Sequence, residues 1–136
     1  MPTLRVYKQK ERGSRCWRWK LVDGGKTICH GAEPFSSVYA VRKTLNTIRE
    51  TMLNIRTLAA TKGRIKSKRD PMFCFKRNMS KEKTHRESWH WTLRSANFRI
   101  LAMSARSFQS SVKAEEHCRF AETDFLFAYD RFKELN

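Results

Sequence analysis

The pentapeptide Trp17-Arg18-Trp19-Lys20-Leu21 returns 72 residues later as Trp89-His90-Trp91-Thr92-Leu93, and the two copies hold all four tryptophans of the chain. Other residues keep step around them: Lys8 with Lys76 before, then Ile28 with Ile100, Phe35 with Phe108 and Ser37 with Ser110 after. A repeated supersecondary unit usually buries its apolar face against its own copy, so a chain written twice is held to an architecture of two like halves. With 136 residues there is room for one real core, but not for two large independent domains.

Read along the chain, the first unit begins with a short β-prone stretch, Leu4 to Lys10, and a polar loop, Glu11-Arg12-Gly13-Ser14. From Cys16 to Val22 the alternation is clean, with Trp17, Trp19 and Leu21 on one side and Arg18 and Lys20 on the other, which is the pattern of a half-buried strand. Asp23-Gly24-Gly25 supplies the positive backbone angles of a tight hairpin, Lys26 to His30 runs as a third strand, and Ser36 or Ser37 caps a helix starting near Val38. Val41, Leu45, Ile48, Met52, Ile55 and Ala59 are spaced four and three apart and form its apolar stripe. Arg42, Arg49 and Arg56 form a second stripe at seven-residue spacing, about 100° around the helix.

The second unit repeats the order. Met72 to Arg77, Trp89 to Arg94 and Phe98 to Met103 read as strands, and Ser95-Ala96-Asn97 stands where the glycine turn was. Lys81 to Ser88 is a longer, charged loop. After Ser110 or Ser111 as cap, a helix carries Ala114, Cys118, Ala121, Phe125, Ala128, Phe132 and Leu135, with Phe120, Phe127 and Tyr129 widening its apolar surface for the other half or another chain. The fold class expected is therefore α+β: two tandem β-β-β-α repeats in a pseudo-twofold single domain, an antiparallel sheet packed by helices. The boundaries are residues 1–61, a basic linker at 62–70, and residues 71–136.

Charge is the second constraint. Twenty-nine Lys and Arg stand against 13 Asp and Glu, a formal net charge of +16, beyond the roughly 2–8 units that solubility alone asks of a small domain. Residues 1–70 carry net +12 and residues 71–136 only +4. A field of this sign concentrates polyanions, so DNA or RNA is the first partner to consider and an acidic protein or anionic membrane the second. No apolar run is long enough to cross a bilayer, and a membrane is not among the partners expected. The four cysteines are scattered, with no Cys-x-x-Cys pair and no secretory-type segment at the N-terminus, which reads as a cytoplasmic protein with reduced thiols. Cys29-His30 and His117-Cys118 pair the ligand types of zinc, but neither pair has ligand spacing and the two are not at equivalent places in the repeats, so no metal or cofactor is expected.

The strand ending in an aromatic and a lysine (Tyr7-Lys8, Phe75-Lys76), the two W-x-W-x-L motifs, Gly25 against Asn97, Ile28 against Ile100, and Phe35-Ser36-Ser37 against Phe108-x-Ser110 resemble the YegP-like family of tandem-repeat domains of unknown function. The likeness covers about residues 4–50 and 72–122; the basic linker, the long last helix and the loss of the turn glycine at Asn97 depart from it. It implies two β-β-β-α units about a pseudo-twofold axis, sharing a sheet through exchanged strands. It brings no catalytic residues.

The tryptophans line up with Leu21 and Leu93 on one strand face, as a helix-covered sheet requires, and are read as core before base-stacking platforms. The opposite face differs between copies: Arg18 and Lys20 in the first become His90 and Thr92 in the second. The expected nucleic-acid site is therefore Arg18, Lys20, Lys26, the Arg42, Arg49 and Arg56 stripe, and the linker residues Lys62, Arg64, Lys66, Lys68 and Arg69, holding phosphates without reading sequence. A protein-interaction module, a regulator or inhibitor docking on an acidic partner, is the alternative. No triad, phosphate loop or metal-nuclease motif is present, and the acids from Glu115 to Glu134 stand without a partner motif, so no enzyme is expected. Either a monomeric pseudo-dimer or a homodimer fits the repeat.

Overall fold

The computed structural model describes residues 1–11, 13–60, 70–78 and 88–135. The elements run β1 (Thr3–Glu11), β2 (Ser14–Asp23), β3 (Lys26–Gly31), α1 (Val38–Ala60), β4 (Met72–Arg77), β5 (Trp89–Arg94), β6 (Ile100–Ser104) and α2 (Ser111–Leu135). The six strands form one antiparallel sheet in the order β1-β2-β3-β6-β5-β4. Each set of three strands pairs within itself, and the two sets meet at β3 and β6. The strand exchange implied by the family resemblance is thus not seen among the described residues, and strands that are neighbours in sequence pair within each set.

Both helices pack on the tryptophan face. Trp19, Leu21, Trp91 and Leu93 are buried with Val41, Leu45, Ile48 and Met52 of α1 and Ala114, Cys118, Ala121 and Phe125 of α2 in a single apolar cluster. Trp17 and Trp89 flank that cluster half-buried. The stripe of α1 ends sooner than its spacing predicts, because Ile55 is half-buried and Ala59 is exposed. Among the described residues no helix is long and apolar enough to cross a membrane.

Each helix is fastened to its sheet by the aromatic-and-serine motif. Trp17 and Phe35 exchange two backbone hydrogen bonds, of 2.7 and 2.8 Å, and Trp89 and Phe108 exchange two of 2.7 Å. The Ser37 hydroxyl then accepts the Ala40 N–H at 3.1 Å and the Ser110 hydroxyl accepts that of Lys113 at 3.2 Å, so both serines are N-caps.

The hairpin turns differ. Gly24 and Gly25 have φ of 58° and 79°, which gives the two-residue turn its right-handed twist. In the second half the turn takes three residues: the Phe98 N–H donates to Ser95 O, the Ser95 N–H donates to Arg99 O, and Phe98 itself adopts φ 63°. The Arg94 guanidinium lies over the Phe98 ring, 4.6 Å from its centroid. Because of that extra residue β6 begins at Ile100 instead of Phe98. Cys29 pairs with Leu21 and Ala102 with Leu93, so the residue equivalent to Ile28 is Leu101 and not Ile100. A similar one-residue offset affects the first strands: Val6 lies opposite Trp19 and Phe75 opposite Trp91, so Phe75 corresponds to Val6, on the core face, and not to Tyr7.

Gly31 is the tightest point of the core. A Cβ there would stand well inside van der Waals contact with the Trp19 indole nitrogen and 2.9 Å from its Cδ1, while Trp19 itself is 1% exposed and cannot swing away. Gly31→Ala is therefore expected to destabilise the chain by about 1–3 kcal/mol in urea unfolding. An unchanged midpoint would show that the indole is less tightly held than its burial indicates.

Candidate nucleic-acid interface

The face of the sheet turned away from the helices carries the strand cations. Residues paired across neighbouring strands share a face, and one such row crosses the whole sheet: Arg5, Lys20, His30, Met103, Thr92 and Cys74. Its charge lies at the β1–β2–β3 end. Beside it, Tyr7 pairs with Arg18, and the Lys20 ammonium sits 5.1 Å from the Tyr7 ring centroid. At the equivalent places in the second half stand Lys76 and His90, with the His90 imidazole hydrogen-bonded to Asn78.

Of the residues expected from sequence, Arg18 and Lys20 lie together on this face. Lys26 is exposed at the β2–β3 hairpin, opposite Asp23. Lys62, Arg64, Lys66, Lys68 and Arg69 lie outside the described residues. The helical arginines are elsewhere, in the helix layer on the opposite side of the sheet. The Arg56 guanidinium pairs with Glu122 of α2 at 2.5 Å, Arg49 pairs with Glu50 at 2.9 Å and lies over Tyr129, and Arg42 borders a cavity of about 120 Å3 with Tyr129, Phe132 and Lys133. Strand cations and helix stripe therefore do not share one groove.

Arg5, Tyr7 and His30 join the candidate surface although sequence reasoning passed over them. The signal was present in β1, where Leu4 and Val6 alternate with Arg5 and Tyr7, but Lys8 breaks it. Lys8 stands on the core side, with its ammonium 5.4 Å from the Trp17 ring centroid, so the strand reads as mixed.

Other arrangements that could support chemistry are taken up by packing. Cys29 is buried on the core face while His30 points to the open face, so the two diverge by strand alternation. Burial pushes the Cys29 and Cys118 thiols far up, assisted by Asp124 for Cys29 and by Glu122 for Cys118. Among the described residues no group of three His, Cys, Asp or Glu is gathered to hold a metal ion. The acids of α2 are dispersed: Glu122 is on Arg56, Glu115 is on Arg119, and the half-buried Asp124 carboxyl is raised by burial and by Asp23. A cavity of about 300 Å3 between the end of α1, β4 and α2 is lined by apolar residues such as Ile55, Met72 and Phe75 and by Asp70, Glu115, Arg119 and Glu122, away from the cationic face.

The comparisons bear on the fold. A solved structure is similar: the solution NMR structure of a UPF0339 protein from Shewanella oneidensis, with 10% identity and a TM-score of 0.60, covering 92% of this chain and 85% of that one. At that identity the likeness shows the fold alone. No family model matches the chain, and no curated protein does.

The His117 imidazole is half-buried between the Trp91 and Phe108 rings. Its Nδ1 accepts the Trp91 indole N–H at 3.0 Å, and burial, followed by the nearby Arg106 charge, lowers its pKa below 6.5. The folded chain thus resists a proton that the unfolded chain takes up near pH 6.5. Stability is full above that value and falls as pH drops toward the lowered pKa. His117→Gln, which keeps an acceptor for Trp91, is expected to lose less stability than the parent between pH 7.5 and 5.5 in urea titrations. Equal losses would place the pH dependence on other groups.

Proposed function

We propose that this chain is a non-enzymatic nucleic-acid-binding protein that holds a phosphate backbone on the open face of the first three strands, largely without reading base sequence. We further propose that its halves are copies of one unit about a pseudo-twofold axis, and that the chain is a distant relative of the YegP-like proteins. The observation carrying the functional reading is the set Arg5, Arg18 and Lys20 on a face that neither helix covers, with Cys74, His90 and Thr92 at the corresponding places of the other half. Three positive charges at these places of the first half against none at the three corresponding places of the second is not a folding requirement, since each half buries its tryptophan without them. Tyr7, half-buried beside Arg18, adds a ring against which an unpaired base could stack. The five cations at residues 62–69 enter the proposal by sequence alone. The α1 arginines are left out of the primary contact, because Arg49 and Arg56 already face acids and aromatics of the helix layer.

Phosphate binding has a thermodynamic signature, the release of counterions, which adds about 0.7 to the log–log salt slope per contact on a single strand and about 0.9 on a duplex. For the full chain and a labelled oligonucleotide, Arg5→Gln with Lys20→Gln is expected to flatten the slope by about one contact's worth for each cation removed, and Arg49→Gln to leave it unchanged. Absence of binding to both single strand and duplex at low salt would defeat the proposal. A slope that responds to Arg49 and ignores Arg5 and Lys20 would move the site to the helix layer.

A further inference from the structure

The outer side of α2 is apolar where solvent should favour polar groups. Phe120 is 71% exposed and Phe127 49% exposed, and being seven residues apart they stand on one side of the helix, two turns from each other. Glu116 lies one turn before Phe120 and Arg131 one turn after Phe127, both exposed and on the same side, and exposed Thr123 stands between the two rings. The sequence along this face has a symmetry. Rotation about a twofold axis midway between Thr123 and Asp124 carries Phe120 onto Phe127 and Glu116 onto Arg131.

From this we infer that the outer face of α2 pairs with the same face of a second copy of the chain, the two helices running antiparallel. In that arrangement Phe120 of each copy meets Phe127 of the other, and Glu116 of each meets Arg131 of the other, as an isologous contact requires. A parallel pairing would set Glu116 against Glu116 and Arg131 against Arg131, so charge selects the antiparallel one. Charge also selects this face over the rest of the surface. Two copies of a chain of net +16 repel, but α2 carries six acids against four bases and is the region where that repulsion is least. Within one copy the Arg131 guanidinium meets the exposed Met1 sulfur, a contact easily exchanged for a carboxylate. The open faces of the two sheets then point outward, so self-association and polyanion binding do not compete. A single helix pair buries less than the roughly 1,200 Å2 of a standard interface, and the complex is accordingly a weak one.

Sedimentation equilibrium on the full chain, free of nucleic acid and at concentrations up to about 500 µM, tests this. The apparent mass is expected to rise from 16.1 kDa toward twice that value. Phe127→Glu should raise the dissociation constant at least about tenfold with the circular dichroism unchanged. Glu116→Arg should do the same, and Arg131→Glu added to it should restore association, which a merely hydrophobic patch would not do. In a variant with Cys16 and Cys74 changed to serine, Thr123→Cys should form an oxidative cross-link between copies while Val112→Cys should not. A chain that stays monomeric throughout, or a mass indifferent to Phe127→Glu, overturns the inference. Failure of Arg131→Glu to rescue Glu116→Arg, or cross-linking at both cysteine positions, overturns the antiparallel register.

Discussion

The burial of Trp19 and Trp91 under a shared helix is the contact from which the rest of the architecture follows. Strand alternation sends both indoles to one face, and α2 reaches both. Phe125 meets Trp19 edge-on at 5.8 Å, and His117 accepts the Trp91 indole proton. A helix that follows the second set of strands thus closes the core of the first. Two three-stranded sets with one hydrogen-bonded seam at β3 and β6 would otherwise be free to twist against each other. The two indoles are not equally served, because among the described residues the Trp19 Nε1 has no hydrogen-bond partner. An unmet buried donor costs about 1–3 kcal/mol, which the close fit of the indole over Gly31 offsets by dispersion and apolar burial.

Much of this was legible in the residues. Alternation gave β2 and β5, the glycine pair gave the first turn, and a serine after each aromatic gave both helix starts, because those signals act over a few residues and the physics is local. What failed was register. The largely apolar run Phe98 to Met103 reads as strand from its first residue, and nothing local announces that a phenylalanine will take the positive φ that a glycine usually fills. The β1 face is hidden by Lys8, whose ammonium sits over the Trp17 ring and lets a charge stand on the core side. The seam between β3 and β6, whose residues are more than 70 apart in the chain, has no local signature at all.

The candidate site divides in the same way. That Arg18 and Lys20 share a side was readable from alternation, but their company with Arg5, Tyr7 and His30 depends on pairing across three strands. The arginine stripe of α1 was readable as a stripe and not as a surface with partners, since Glu122 lies 66 residues from Arg56. Once folded, the molecule sorts its charge into two layers. The helix layer pairs cations with acids and aromatics of α2, whereas the open face of the first three strands gathers Arg5, Arg18 and Lys20 with Tyr7 and His30.

That sorting is the center of the account, and amide chemical-shift mapping reads it most directly. On titration of an isotope-labelled chain with a single-stranded oligonucleotide at low salt, the shifts are predicted to concentrate at Arg5, Tyr7, Arg18, Lys20 and His30, with the amides of α2 unmoved. Shifts gathered on α1 and α2, or none anywhere, would contradict it.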